Sequence, residues 1–219
     1  MMQTLVLLAT LISISTTVAT NQESEEGGGG DIWQALADQL YRFQYPSNAC
    51  LEKQRRYPDV FRSHGKGENI SRDAVNLTES VLGGTNDLLF KIAWVESRFG
   101  EHSGTYRRGY YGGIFQVDRK GFQATQDVRS HPGLRRKFQK IERAFCIKWR
   151  DVRWWELRKP LYSAIAARLF LSNKPGAIPS SLKGQALYWK NYYNSGAGAG
   201  TATKFLNRWK KYVDMKKGK

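Results

Sequence analysis

The chain of 219 residues carries 35 lysines and arginines against 19 aspartates and glutamates, a net charge of +16. Its 41% hydrophobic content is too high for a disordered polycation, and its length suits one domain with a full core or at most two small ones. The surplus charge selects an anionic partner, with nucleic acid, anionic lipid and bacterial wall polymers all admissible.

Residues 1–20 hold no charged side chain, and Leu5 to Ile14 is apolar except for Thr10 and Ser13. This is the pattern of a secretory signal peptide, and the run is short for a membrane anchor, the competing reading. No other stretch approaches 18 apolar residues, so no transmembrane segment is expected and the mature chain is expected outside the cell. Asn21 to Gly30 is acidic and ends in four glycines, the composition of a flexible linker.

Asp31 to Phe43 places Ile32, Trp33, Leu36, Leu40 and Phe43 at helical spacing behind Asp31 as N-cap. It opens a helical extension over residues 31–84. Within it, Cys50 to Asn69 is polar and turn-rich. Cys50 and Cys146 are the two cysteines; in an oxidising compartment they pair, and otherwise they stay separate buried thiols. Asn69-Ile70-Ser71 and Asn76-Leu77-Thr78 are acceptor triplets for N-glycosylation.

Helical patterns continue. Thr85-Asn86-Asp87 opens a helix running to Phe99, with Gly100 as its stop. Leu134 to Trp149 is amphipathic through Phe138, Ile141 and Phe145. Pro160 starts a helix through Leu171. Leu182 to Tyr193 and Ala199 to Val213 follow, and Lys210 to Lys219 reads as a frayed basic tail, with residues 214–219 beyond the last domain boundary. The fold class is predominantly α, at most α+β, with room for a small sheet or loop region between Gly100 and Ile114.

Glu96 stands out. It lies four residues after Ile92 and seven after Leu89, on or beside the apolar stripe of its helix. A carboxyl buried there has a raised pKa and suits general-acid chemistry near neutral pH; alternatively it sits at the stripe's edge, paired to a surface arginine. His64, His102 and His131 lack metal-ligand spacing, so no metal is expected. Trp149, Trp154 and Trp155 interleave with basic residues, a mix that binds sugars or nucleic acid or simply combines core rings with solvated cations.

Three ordered blocks carry a resemblance: Val95-Glu96-Ser97, Gly112-Gly113-Ile114-Phe115-Gln116-Val117-Asp118 and Tyr193-Asn194-Ser195-Gly196-Ala197-Gly198. Together they resemble the lysozyme-like superfamily, above all goose-type lysozymes and the soluble lytic transglycosylases. The likeness covers about Thr85 to Phe205, within a catalytic domain placed at residues 85–213. It implies a lysozyme-like fold with a glycan-binding cleft, and Glu96 as catalytic acid. It also implies Gln116 touching sugar on the cleft floor, with Tyr193 and Asn194 positioning sugar and acid. No cofactor is implied. The partners would be peptidoglycan and anionic wall polymers rather than a specific nucleic acid, and the protein a monomer.

Breaking a glycosidic bond needs a protonated carboxyl, and hydrolysis commonly uses a second carboxylate. Asp118 is the acid inside a matching block; it is the second catalytic carboxylate or else a helix N-cap. The goose-type pattern has a further aspartate in the glycine-bearing loop, but Ser103 to Tyr111 contains no acid here. The lytic transglycosylases manage with one glutamate, because the sugar's own 6-hydroxyl attacks. Hydrolysis in a secreted muramidase for defence or digestion is the leading expectation. Transglycosylation and a non-catalytic cationic wall binder are the alternatives.

Overall fold

A computed structural model describes residues 48–194 and 199–218. The expected signal peptide, linker and helix over 31–43, and the Ser195–Gly198 part of the third block, lie outside the described residues. The described residues all fall within one compact unit.

The described residues are helical, with α1 Asn48–Arg56, α2 Pro58–Phe61, α3 Glu68–Leu82, α4 Leu88–Ser97, α5 Arg119–Ala124 and α6 Leu134–Phe145. Then come α7 Pro160–Ser172, α8 Leu182–Tyr188 and α9 Ala202–Lys217. No strand occurs among the described residues; Gly100 to Ile114 is turns, the loop rather than the sheet of the two forms allowed there.

Two helices are apolar on nearly every side, the signature of central helices. In α4, eight residues from Leu88 to Ser97 are buried; in α7, Leu161, Ala164, Ile165, Ala166, Ala167, Leu169 and Leu171 are. α3 packs on α7, where the alanines allow close approach, and α9 packs on α4 and α8. Arg168 of α7 donates to Leu82 O and Gly83 O at 2.9 and 2.8 Å, satisfying carbonyls left open at the end of α3.

Several element boundaries moved for identifiable reasons. Residues 48–56 and 68–82 are helical, although Cys50 to Asn69 reads as polar and turn-rich within the helical extension over 31–84. The buried stripe of α3 is Ser71, Ala74, Val75, Thr78 and Leu82; two of its five positions are hydroxylated, which hides the period. α4 is capped by Thr85, whose Oγ1 accepts from Leu89 N at 2.9 Å, and it ends at Ser97 because Arg98 and Phe99 adopt left-handed backbone. α6 stops at Phe145 because Cys146 is left-handed. α9 runs to Lys217 rather than fraying. Its end is held by Lys216 and Tyr212, which reach Glu68 at 2.6 and 2.8 Å.

Cys50 and Cys146 form a disulfide across a sequence separation of 96, joining α1 to the end of α6. Closing so long a loop removes much unfolded-state entropy. Cys146→Ser should lower stability by about 2–4 kcal/mol and the melting temperature by roughly 10 °C, read by thermal denaturation without reductant. An unchanged melt would show that helix packing alone holds α1. Asn69 and Asn76 are both exposed on α3, two turns apart on one face. No described helix is long and apolar enough to cross a membrane.

Candidate active site

The end of α4 is tied to the glycine block by hydroxyl groups. Ser97 Oγ donates to Ile114 O at 2.6 Å and accepts from Gly100 N at 2.8 Å. From the other side Ser163 Oγ of α7 donates to Gly112 O and accepts from Phe115 N, at 2.9 and 3.2 Å. Gly113 lies between, at φ +63°, with no room for a Cβ: one would stand 1.9 Å from Leu157 O. The block is thus a wedge between two buried helices, and it sets Gln116 beside Glu96.

A cavity of about 470 Å3 opens there. Glu96, Gln116, Asp118, Tyr193 and Asn194 all line it, so one concavity gathers every catalytic and sugar-contacting residue expected from the sequence. Tyr110, Val117, Lys120, Gly121 and Phe170 complete the wall.

Glu96 is half-buried at the last turn of α4. Trp189 Nε1 donates to its Oε1 at 2.8 Å. Burial pushes the carboxyl up to about 7; the Trp189 hydrogen bond and the Arg208 charge pull it down by less. At neutral pH the group is therefore poised between acid and carboxylate, the condition a general acid needs. Trp189 opens a single wide turn, Trp189–Tyr193, where Asn194 N bonds to Trp189 O. Such π turns recur at functional sites, and this one puts Trp189 against Glu96 and Tyr193 in the cavity wall.

Tyr193 OH donates to Phe115 O at 2.7 Å, and its ring meets Phe170 edge-on at 5.7 Å. Burial, then the neighbouring Glu96, hold its phenol well above the ordinary range, so it stays a donor. Asn194 Oδ1 accepts from Gly200 N at 3.2 Å, which ties this part of the cavity wall to the residues just before α9.

Gln116 has left-handed backbone and a fully engaged amide. Its Nε2 donates to Gly113 O and Thr105 O at 2.6 and 3.2 Å, and its Oε1 accepts from Arg107 at 3.1 Å. In this geometry it holds the acid-free loop to the glycine block. Asp118 is exposed and caps α5, accepting from Gly121 N at 2.6 Å. The N-cap reading of Asp118 is therefore realised, on the rim of the cavity that holds Glu96. Glu101, the other nearby acid, is exposed and lines no part of this cavity.

The tryptophan run divides. Trp149 is core; Trp154 Nε1 donates to Val117 O at 3.0 Å; Trp155 is 57% exposed. Among the described residues no group of three His, Cys, Asp or Glu side chains is placed to hold a metal ion. Sequence reading missed Trp189, Tyr110 and Arg208. Trp189 stood one helical turn before Tyr193, which was a usable signal. Arg208 lies 112 positions from Glu96 and carried none.

Trp189→Phe removes the donor that stabilises the Glu96 carboxylate. The carboxyl should then rise further, by about one pH unit in a titration of Glu96 followed by NMR. An unmoved titration would separate Trp189 from the acid.

No protein family, curated protein or solved structure matches this chain.

Proposed function

We propose that this chain is a secreted muramidase that cleaves the β-1,4 bond between N-acetylmuramic acid and N-acetylglucosamine in bacterial peptidoglycan. The observation that carries the reading is Glu96, a desolvated carboxyl titrating near 7 in the wall of an open polar cavity. In its protonated form it gives its proton to the glycosidic oxygen as the bond from that oxygen to the sugar C1 breaks. Tyr193, fixed to Phe115 O, holds one wall while positive charge develops at C1. In hydrolysis a water then attacks C1 and Asp118 takes its proton.

A second reading has its own support. The loop from Ser103 to Tyr111 has no acid, and Asp118 spends one carboxylate oxygen on the cap of α5. Both features suit a one-carboxyl route: the sugar's 6-hydroxyl attacks C1 and returns its proton to the Glu96 carboxylate. The two routes break the same bond and leave different ends. Mass spectrometry of digests of purified peptidoglycan separates them: reducing ends identify hydrolysis and 1,6-anhydro ends transglycosylation. Intact glycan strands bound to the protein would overturn both in favour of a binder.

The +16 charge supports concentration on an anionic wall. Cleavage of whole walls should therefore slow several-fold between about 50 and 500 mM salt, measured as turbidity loss of a wall suspension.

A further inference from the structure

Glu96 also forms part of a second cavity, of about 190 Å3, on which the cleavage chemistry makes no demand. Its wall comes from two places: the end of α4 with the turn after it, and the outer face of α9. They bring Arg98, His102, Arg208 and Lys211 together around one small concavity. Arg208 and Lys211 are three residues apart, on one face of α9. Glu96 is the one carboxyl residue in the lining.

The arrangement is built rather than loose. Arg208 Nη1 donates to Val95 O at 2.6 Å, and Trp94 Nε1 donates to Arg208 O at 2.7 Å, so α4 and α9 lock each other at this point. The guanidinium is held in place before any ligand arrives, which lowers the entropy cost of binding. None of the ion pairs among the described residues engages Arg98, Arg208 or Lys211. Three cationic side chains thus converge beside the acid outside all of these ion pairs, with the charge of Arg208 already acting on Glu96.

We propose that this cavity is an anion subsite that takes a free carboxylate of the peptide arm borne by the muramic sugar next to the cleaved bond. The inference rests on Glu96 being the acid of a wall-cleaving enzyme. The cavity is too small for a disaccharide and the right size for a carboxylate with the few atoms behind it. Arg and Lys donors around it match that charge and geometry. The peptide arm is attached to the muramic sugar itself, which places its carboxylates near the scissile bond. Phosphate-bearing wall polymers are attached at few such sugars. Because Glu96 keeps its proton through much of the acid to neutral range, it opposes the incoming anion less than an ordinary carboxylate would.

The test is binding of an uncleavable monosaccharide to the full chain. N-acetylmuramyl-alanyl-glutamate, its diamide and inorganic phosphate are each titrated by calorimetry. The free acid should bind roughly fivefold tighter than the diamide. That preference should fall below twofold in K211Q and vanish in R98N/K211Q; asparagine is chosen because it accepts left-handed backbone at position 98. Equal affinity for acid and diamide, or an unchanged preference in both variants, overturns the subsite. Phosphate binding more tightly than the free acid overturns the carboxylate assignment. The measurement needs no turnover. Failure of the muramidase reading would instead appear as wild-type protein that releases no glycan fragments.

Discussion

Glu96→Gln should lower wall cleavage by about a thousandfold or more while leaving the protein folded and, above neutral pH, more stable. The rate loss follows from removing the proton donor; general acid catalysis contributes roughly 10² to 10⁴. Glutamine keeps the shape and still offers an oxygen to Trp189 Nε1, so the cavity survives. The stability gain follows from linkage. The native carboxyl titrates near 7 against an ordinary 4.5. The folded state therefore holds the proton more tightly than the unfolded chain. That contribution is fully present below pH 4.5 and is lost as pH rises through 7. The difference amounts to about 3 kcal/mol at most. Glutamine does not titrate, so the variant escapes the loss. Denaturation at pH 4 should find the two proteins nearly equal; at pH 8 the variant should lead by about 1–3 kcal/mol. Wild-type cleavage should decline above about pH 7, as the acid form disappears. A variant that still releases muropeptides at wild-type rate would end the assignment of Glu96 as acid.

Gly113→Ala should unfold the cavity wall. The new Cβ would stand 1.9 Å from Leu157 O and 2.6 Å from Ser163 Oγ, on a backbone at φ +63°. No rotamer relieves a backbone carbonyl at that distance, so α7 and the glycine block must separate. The cost should exceed about 4 kcal/mol, and the melting temperature should fall by roughly 10 °C or more. Gly109→Ala is the control. It is also left-handed, at φ +76°, but a Cβ there meets nothing within 4 Å. Strain alone should cost it about 1–2 kcal/mol. Equal thermal shifts in the two variants would show that crowding at Gly113 is not what holds the block.

The two glycines also show how far sequence reading reached. Gly112-Gly113 was legible as part of an ordered block, but the reason for Gly113 was not. That reason is Leu157 O, 44 residues away, carried by the short 3-10 helix Trp154–Arg158. Helix α7 was legible almost to the residue, because Pro160 marks its start and its apolar faces are continuous. Helix α3 was not, because Ser71 and Thr78 sit in its buried stripe and read as polar. Asp118 was left between two roles by its sequence context. The hydrogen bond from Gly121 N makes it the cap of α5, and its place on the cavity rim keeps it beside Glu96.

By itself the sequence determined a folded, strongly cationic, predominantly helical chain, with few acids and one carboxyl on an apolar helix face. Those are properties of composition and local period, which act within a few turns of chain. The tertiary structure alone decided what that carboxyl is. Trp189 and Arg208 reach Glu96 from 93 and 112 positions away, and desolvation by the packed helices sets its titration near 7. Burial and charge are summed over neighbours in space, and no local window of residues contains that sum.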